Sequence, residues 1–428
     1  METEQFNFKV ETLGPCHIDT PMAGVQFTED HETILLHADF GDMEPYLKQG
    51  LTPPVFESAG PRRKIYHDPS KLKCGIVTCG GICPGLNDVI RAVVLSLIHH
   101  YGVQNIFGFR YGYEGLSSRH RHSLLVLTAK NVENIHGRGS TILGTSRGPQ
   151  DVPDMVDTLE RMHVGVLFAI GGDGTLRGAK AISEEIGRRG LKIGVIGIPK
   201  TIDNDISFVQ QSFGFQTAVS EAARVLYSAH SEAIGARNGI GLVKLMGRQS
   251  GFISAYATLA NGDVDFCLIP EIPFTLSGLM TALKERLREN NHAVITVSEG
   301  AGQELMDGTG QKDPSGNVRL GDIGRFLQKH ILKCFKEEET EVTLKYINPS
   351  YTIRSLPANA YDSVFCLKLG HNAVHAAMAG RTNMVVGFWS QNFTHVPIAA
   401  AVHKRHQVNP KGKNWSGVIL TTGQPVEM

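Results

Sequence analysis

Three segments of the sequence carry polar side chains that suit phosphate chemistry, and two of them are rich in glycine. Thr78–Asn87 contains adjacent glycines between an apolar run and a helical pattern, and Gly171–Thr175 adds the carboxylate of Asp173. Lys200–Asp205 packs one ammonium, one hydroxyl and two carboxylates into six residues. Glycine loops bind anions through backbone N–H groups, and a carboxylate can hold a phosphate-bound Mg²⁺. A lysine can neutralise a transferring phosphoryl group while an aspartate accepts the proton of an alcohol, so the three segments together predict phosphoryl transfer.

Each segment alone also has a simpler structural explanation. A glycine turn between strand and helix is usually only a turn, and Asp173 could cap the helix that begins near Leu176. Lys200–Asp205 could be a solvated loop, although the run before it is too apolar to be an exposed strand. The sequence lacks the Walker-type GxxxxGK[ST] motif and the paired HRD and DFG motifs of protein kinases, which excludes those two families.

The elements that must position these segments alternate between strands and helices. Helical patterns occur at Asn87–His99, Ser212–Ser228 and Leu276–Glu289, between β-branched runs that are mostly apolar on both faces. These runs are Cys74–Thr78, Val164–Ile170, Ile193–Ile198, Ile240–Leu245, Val264–Ile269, Ala293–Val297 and Met384–Phe388. The alternation predicts a doubly wound α/β sheet, in which ligands bind where strands end. The polar segment Asp307–Val318 predicts an exposed hairpin or loop.

Composition excludes several classes of function. Lys plus Arg and Asp plus Glu are both 42, so the net charge of zero gives no general attraction to nucleic acid or to an anionic membrane. No apolar run is long enough to span a bilayer, and the acidic first residues do not resemble a secretory signal. The seven cysteines lack metal-binding spacing, which predicts reduced thiols and a cytoplasmic location.

The sequence resembles the phosphofructokinase family from about Lys73 to beyond residue 390. Pro199–Asp205 and Lys244–Phe252 are its most specific parts, whereas Gly171–Thr175 alone also resembles NAD kinases and diacylglycerol kinases. The resemblance implies an α/β fold with two Rossmann-like lobes, largely parallel sheets, an active site in the cleft between the lobes and an N-terminal extension. The implied division is 1–72 for the extension, 73–217 and 358–405 for the nucleotide-binding lobe, and 218–357 and 406–428 for the fructose 6-phosphate-binding lobe.

The resemblance also implies a role for individual positions. Asp203 would be the base that acts on the 1-hydroxyl of fructose 6-phosphate, assisted by Thr201, Lys200 and Arg248, and Asp173 would hold Mg²⁺. The positions matching the nucleotide side are Gly80, Tyr113, Arg147, Gly148, Gly172, Asp173, Gly174 and Thr175. Those matching the sugar-phosphate side are Thr201, Ile202, Asp203, Met246, Gly247, Arg248, Glu299, Lys345, Tyr351 and Arg354. Met246 could instead fill the core, Arg354 could be a surface charge, and Tyr113 could simply pack beside glycines.

Three positions depart from the common bacterial pattern. Lys200 replaces a glycine, Gly239 replaces an arginine that reaches a neighbouring subunit, and Tyr351 replaces a histidine, as in the branch of pyrophosphate-dependent, plant-type and trypanosomatid enzymes. Pyrophosphate-dependent members typically carry aspartate at position 174, where a carboxylate would obstruct the α-phosphate of a nucleotide. Gly174 leaves this path open, and Lys200 tolerates either donor. We therefore expect an ATP-dependent 6-phosphofructokinase, with a pyrophosphate-dependent fructose 6-phosphate 1-phosphotransferase as the alternative.

Two other functions fit less of the sequence. A kinase of NAD or of a lipid would explain Gly171–Thr175 but leave Pro199–Asp205 unexplained. A non-catalytic regulatory subunit should have lost Asp203 or Asp173, and both are present. The family forms dimers and tetramers, so the resemblance implies a homodimer or homotetramer. We also expect an allosteric enzyme, without the bacterial effector site and with unassigned effectors.

Overall fold

The computed structural model describes residues 7–306, 311 and 318–428, so most of the predicted loop Asp307–Val318 lies outside the described residues. The chain divides into two compact units. The first consists of Met1–Thr201, Ile206–Gly214 and Pro357–Lys404. The second consists of Ile202–Asp205, Phe215–Leu356 and Arg405–Met428.

Strands and helices alternate along most of the described chain. The strands are β1 Glu11–Thr12, β2 Ile18–Asp19, β3 Thr33–Leu35, β4 Val55–Ser58, β5 Lys64–Ile65, β6 Lys73–Thr78, β7 Asn105–Phe109, β8 Leu125–Val126, β9 Val166–Gly171, β10 Gly194–Pro199, β11 Gly239–Leu245, β12 Phe266–Leu268, β13 His292–Ser298, β14 Thr343–Ile347, β15 Arg381–Thr382, β16 Met384–Trp389 and β17 Asn392–Pro397. The helices are α1 Phe40–Lys48, α2 Leu86–Tyr101, α3 Val152–Arg161, α4 Asp173–Arg188, α5 Phe215–Ile234, α6 Phe252–Asn261, α7 Leu276–Asn290, α8 Ile323–Glu337, α9 Thr352–Ser355, α10 Ala360–Met378, α11 Ile398–Ala401 and α12 Lys413–Thr422.

All seven predicted strands and all three predicted helices are present, with shifted ends. Apolar runs such as β9 are completely buried, because a parallel sheet is covered on both faces. Helix α2 ends at Gly102, which adopts φ 77° and closes the helix in the left-handed conformation that glycine allows. None of the described helices is both long and apolar enough to cross a bilayer.

The first unit is built on a nine-stranded sheet of order β3-β4-β17-β16-β10-β9-β6-β7-β8. Strands β16, β10, β9, β6 and β7 form its parallel centre. After β6 the chain adds β7 on one side and then β9 on the other, so the winding direction reverses between β6 and β9. Such a reversal opens a crevice at the carboxyl ends of the two strands, where ligands of doubly wound sheets bind.

The N-terminal segment packs on the first unit and extends its sheet. Strand β4 pairs with β17, and β3 pairs with β4, both antiparallel. Glu57 of β4 accepts hydrogen bonds from Arg62 and Arg381 at 3.1 and 2.8 Å, and His395 lies 3.2 Å away. The two guanidiniums also contact Asp30. Residues 7–72 are therefore fixed to the body by sheet pairing and a buried charge cluster.

The second unit contains a four-stranded parallel sheet of order β12-β13-β11-β14. Apolar residues of α7 and α8 pack with the sheet in its main hydrophobic core. Because β11 lies between β13 and β14, the segments that follow these three strands emerge side by side. They contain Met246–Arg248, Glu299 and the Tyr351–Arg354 turn.

Candidate active site

The three segments predicted to bind phosphate follow three neighbouring strands of the first unit's sheet, β6, β9 and β10. The Lys200 side chain is buried, and its ammonium donates a hydrogen bond to the Gly81 carbonyl at 2.7 Å. The backbone N–H of Lys200 donates to the Gly171 carbonyl at 3.0 Å. A Cβ on Gly80 would lie 3.9 Å from the Lys200 ammonium. The structure therefore brings the predicted lysine, Gly80 and the start of α4 to one edge of the sheet.

The segment Thr145–Gly148 lies against the first glycine loop. The Gly80 N–H donates to the Ser146 carbonyl at 3.1 Å, and the Thr145 hydroxyl donates to the Gly80 carbonyl. Gly80 adopts φ 84° and Gly148 adopts φ 101°, so both positions use backbone conformations that favour glycine. Arg147 follows these hydrogen-bonded residues in the chain. Its side chain is exposed and makes no hydrogen bond or ion pair within the described part of the chain.

The glycines at the end of β9 and in the first turn of α4 differ in the space beside them. Gly171 has no room for a side chain, because a Cβ there would lie 2.1 Å from the Thr175 hydroxyl. A Cβ on Gly174 would meet nothing within 4 Å, and Gly174 is exposed. The Asp173 carboxylate is partly exposed and accepts a hydrogen bond from Arg177 at 3.0 Å. A carboxylate beside open space suits Mg²⁺, which keeps several waters and takes few protein ligands.

Tyr113 lies beneath this turn rather than on its open side. Its side chain is 7% exposed, and its hydroxyl donates to the Thr175 carbonyl at 2.6 Å. A Cβ on Gly178 would lie 2.6 Å from the ring. Burial raises the pKa of the phenol well above its ordinary value, so it stays a neutral donor. Tyr113 supports α4 from the core, and its contact with a nucleotide stays a prediction.

The segment after Lys200 passes from the first unit to the second. The Thr201 carbonyl accepts a hydrogen bond from the Ser212 hydroxyl at 2.6 Å within the first unit. In the second unit Asp205 is buried and binds Arg405 at 2.6 Å. Ile202 is buried, whereas Asp203 is partly exposed. Asp205 therefore has a structural partner that fixes the segment carrying Asp203.

Two predicted sugar-side segments meet at the ends of β11 and β13. Glu299 follows β13, and its N–H donates to the Leu245 carbonyl at 2.9 Å. A Cβ at Gly300 would lie 1.7 Å from the Arg248 carbonyl oxygen, so glycine lets the two backbones approach. Met246 and Arg248 are only partly buried, and Gly247 is buried with φ 121°. Partial exposure argues against Met246 as core filler.

The Glu299 carboxyl lies in a cationic environment. Burial raises its pKa, and the charges of Arg248, Lys244 and Arg354 oppose this effect. These three residues follow or belong to β11 and the turn after β14, so cations from neighbouring strands surround one carboxylate. The group suits hydrogen bonding to hydroxyls beside an anion.

The turn after β14 presents a phenol and a guanidinium together. Tyr351 is 76% exposed, and the Arg354 guanidinium lies 5.0 Å from the centre of its ring. The Arg354 Nε is shielded from solvent and donates no hydrogen bond to a described residue. Lys345 is exposed earlier on β14, opposite Gly241 of β11, and no described hydrogen bond joins it to Tyr351 or Arg354. The structure thus groups Tyr351 with Arg354 but leaves Lys345 apart.

Comparisons with known proteins identify the family of this chain. The sequence model of the family described as phosphofructokinase matches residues 73–377. The chain belongs to the phosphofructokinase family. An ATP-dependent 6-phosphofructokinase of Borreliella burgdorferi is 47% identical, covering 100% of this chain and 99% of the relative. One from Trypanosoma cruzi is 47% identical over 97% of this chain and 82% of the relative. The plant ATP-dependent 6-phosphofructokinase 5, chloroplastic, of Arabidopsis thaliana is 47% identical over 86% of this chain and 68% of its own length.

Solved phosphofructokinases share the fold. The pyrophosphate-dependent phosphofructokinase of Marinobacter aquaeolei superposes with a TM-score of 0.67 at 19% identity, covering 80% of this chain and 88% of that chain. The phosphofructokinase of Saccharomyces cerevisiae gives a TM-score of 0.63 at 22% identity, covering 82% of this chain and 47% of that chain. The α/β class with largely parallel sheets is therefore confirmed.

The structure adds residues of this phosphofructokinase that sequence reasoning did not assign. Lys244 is a charge near the end of the apolar strand β11, and its ammonium contacts Asp322 at 3.2 Å while lying near Glu299. A single charged residue in an apolar strand was the sequence feature that could have indicated a functional role for Lys244. Arg405, the partner of Asp205, follows about 200 residues later, so no local pattern could have joined the two.

The presence of glycine at position 239 has a local steric explanation. A Cβ at this position would lie 2.0 Å from the Ala233 carbonyl oxygen, so an arginine there requires a backbone shift. This contact supports leaving the subunit-bridging arginine of the bacterial pattern unassigned.

Proposed function

We propose that this protein is an ATP-dependent 6-phosphofructokinase that converts fructose 6-phosphate to fructose 1,6-bisphosphate in glycolysis. The open space at Gly174 carries the choice of ATP, because it leaves room for the nucleotide beyond the transferred phosphate. Near full-length similarity to relatives named as ATP-dependent 6-phosphofructokinases supports the same choice. The pyrophosphate-dependent reaction remains the alternative, since Lys200 suits either donor.

The nucleotide phosphates bind along the carboxyl edge of the first unit's sheet. Gly80, Gly172 and Gly174 supply backbone close to the phosphates, and Arg147 and Lys200 supply positive charge. Gly148 and Thr175 shape the same edge. This assignment is supported by the hydrogen bond from the Gly80 N–H to the Ser146 carbonyl. The buried Lys200 ammonium, which donates to the Gly81 carbonyl, supports it as well. Asp173 would hold Mg²⁺, which neutralises phosphate charge when bound.

In the transfer step, the 1-hydroxyl oxygen of fructose 6-phosphate forms a bond to the terminal phosphorus of ATP. The bond from that phosphorus to the bridging oxygen breaks, and ADP leaves. Asp203 accepts the hydroxyl proton, Thr201 and Ile202 hold the segment, and Arg248 offsets charge on the transferred group. The ion pair between Arg405 and Asp205 fixes the segment that carries Asp203, which supports the placement of Asp203 for this role.

The sugar phosphate binds at the ends of β11, β13 and β14 in the second unit. Glu299 accepts hydrogen bonds from sugar hydroxyls, and Met246 and Gly247 line the sugar. Arg354 and Tyr351 bind the 6-phosphate, with Lys345 adding charge. The buried Arg354 Nε without a described hydrogen-bond partner supports the phosphate assignment, because a shielded donor requires an acceptor.

We also propose a homodimer or homotetramer with allosteric control, and a cytoplasmic location. Seven free cysteines suit a reducing compartment. A chloroplastic relative makes the compartment a separate question for measurement. Size-exclusion chromatography with light scattering tests the oligomer, and cell fractionation tests the location.

Initial rates with purified protein, fructose 6-phosphate and Mg²⁺ test the proposed reaction. ATP should support formation of ADP and fructose 1,6-bisphosphate, and pyrophosphate should support far less turnover. Turnover with pyrophosphate alone would favour the alternative donor. Turnover of NAD or a lipid without turnover of fructose 6-phosphate would reject the acceptor.

A further inference from the structure

Glu114, His120 and His122 form a side-chain cluster that the proposed reaction does not use. It lies in the first unit, after β7. One ligating atom from each residue lies within 4.8 Å of the other two. The His122 Nε2 lies 3.5 Å from a Glu114 carboxylate oxygen. We name these three residues the His–Glu cluster.

The spacing suits a tetrahedral transition-metal ion. Zinc binds histidine nitrogen and carboxylate oxygen at about 2.0–2.2 Å, which places neighbouring ligand atoms about 3.3–3.5 Å apart. The separation between His122 and Glu114 already has this value, and the remaining pairs need to close by at most about 1.5 Å. Two imidazoles and a carboxylate form a donor set of catalytic zinc sites, whereas Mg²⁺ prefers oxygen ligands alone.

The His122 Nε2 lies 3.5 Å from the Glu114 carboxylate without meeting hydrogen-bond geometry, which is a second indication of a missing ligand. This nitrogen is shielded from solvent and makes no hydrogen bond with a described residue. A buried imidazole nitrogen normally has a hydrogen-bond partner, and losing one costs free energy. A metal ion between His122 and Glu114 would satisfy this nitrogen.

Packing holds two residues of the His–Glu cluster, His122 and Glu114. The His122 ring contacts the Tyr111 ring with centres 4.7 Å apart, and it stacks on His120 with ring planes 7° apart. Tyr111 is fixed by an N–H donated to the Leu143 carbonyl at 2.8 Å. Glu114 belongs to the short 3-10 helix Gly112–Leu116, which contains the buried Tyr113. His122 and Glu114 are therefore positioned before a metal arrives, whereas the exposed His120 ring must rotate out of its stack on His122 for both nitrogens to face one ion.

We propose that the His–Glu cluster binds a divalent transition-metal ion of the zinc type, with water completing its coordination. This site is separate from the magnesium site proposed at Asp173. Tyr111 links it to the loop that carries Arg147, because a Cβ on Gly144 would lie 2.8 Å from the Tyr111 ring.

Calorimetric titration of the full-length, chelator-treated protein with Zn²⁺ tests the proposal, with excess Mg²⁺ present to occupy oxygen-ligand sites. We expect one tight site per chain. Glu114→Gln and His120→Ala should each weaken its Kd by about tenfold or more, and His122→Ala should abolish it. Co²⁺ binding, followed by visible absorption, should weaken in Glu114→Gln and His120→Ala and disappear in His122→Ala.

A second histidine pair provides the matched control. The Nε2 atoms of His230 and His292 lie 3.3 Å apart, but that pair is outside the His–Glu cluster. His230→Ala should retain the tight Zn²⁺ site. Loss of tight binding in His230→Ala, or unchanged binding in a folded His122→Ala protein, would overturn the proposal. Thermal melting without metal establishes folding, and Glu114→Gln provides a shape-conserving variant if an alanine variant is unstable.

Discussion

Replacing Gly174 with aspartate should remove ATP as an effective donor without harming the fold. The position lies in the first turn of α4, where an added Cβ meets nothing within 4 Å. Glycine is a poor helix former, and a carboxylate near a helix N-terminus is favourable. We therefore expect the variant to unfold at or slightly above the wild-type temperature, with a gain of about 0.5 kcal/mol.

The expected loss follows from charge repulsion. A carboxylate at position 174 that comes within about 4 Å of a nucleotide phosphate costs about 4 kcal/mol at an effective dielectric constant of about 20. This energy corresponds to about a 10³-fold loss in kcat/KM for ATP. Pyrophosphate lacks the nucleoside and α-phosphate that occupy this space, so its use should fall much less or increase.

Steady-state kinetics with both donors measures this effect. Gly187→Asp is the matched control, because Gly187 is an exposed glycine of the same helix with open space, about 20 Å from Gly174. The control should keep wild-type kcat/KM for ATP. The reasoning is refuted if folded Gly174→Asp retains ATP use within tenfold of wild type.

Three further substitutions test other parts of the structure. Asp203→Asn should lower kcat by about 10² or more with little change in fructose 6-phosphate binding, and near-normal kcat would reject Asp203 as the base. Glu299→Gln should raise KM for fructose 6-phosphate about tenfold because a charged hydrogen-bond acceptor is lost, and an unchanged KM would contradict this role. Burial raises the pKa of Glu57, but hydrogen bonds from His395 and Arg381 lower it from 4.5 to about 2. Glu57→Gln should cost about 3 kcal/mol at neutral pH in denaturant unfolding, and this difference should shrink as pH falls from about 5 towards 2. A pH-independent difference would contradict the linkage.

The parallel centre of the fold could be predicted because each strand carries its own signal. Runs such as Val166–Gly171 are apolar on both faces and end in glycine. These features act over a few neighbouring residues, so a single sequence contains them. The convergence of Gly80, Asp173 and Lys200 then followed from the rule that parallel strands end at the same edge.

The N-terminal segment could not be predicted in the same way. Strands β3 and β4 are short, and β3 lies at the sheet edge, so neither has a strong alternating pattern. Their position depends on pairing with β17 and on contact between Glu57 and Arg381, which are far apart in sequence. Only the folded chain shows that a buried charge cluster anchors this segment.

Local charge, rather than net charge, explains how a neutral chain can bind two phosphorylated substrates. In the second unit, Glu299 is a partly buried carboxylate near the charges of Arg248, Lys244 and Arg354, although Asp322 already forms an ion pair with Lys244. These five side chains together therefore carry more positive than negative charge before substrate binds. In the proposed function we expect a sugar phosphate to supply the missing negative charge, while Glu299 offers an acceptor that a purely cationic pocket would lack. This balance favours a phosphorylated sugar over free phosphate, because only the sugar uses both parts of the site.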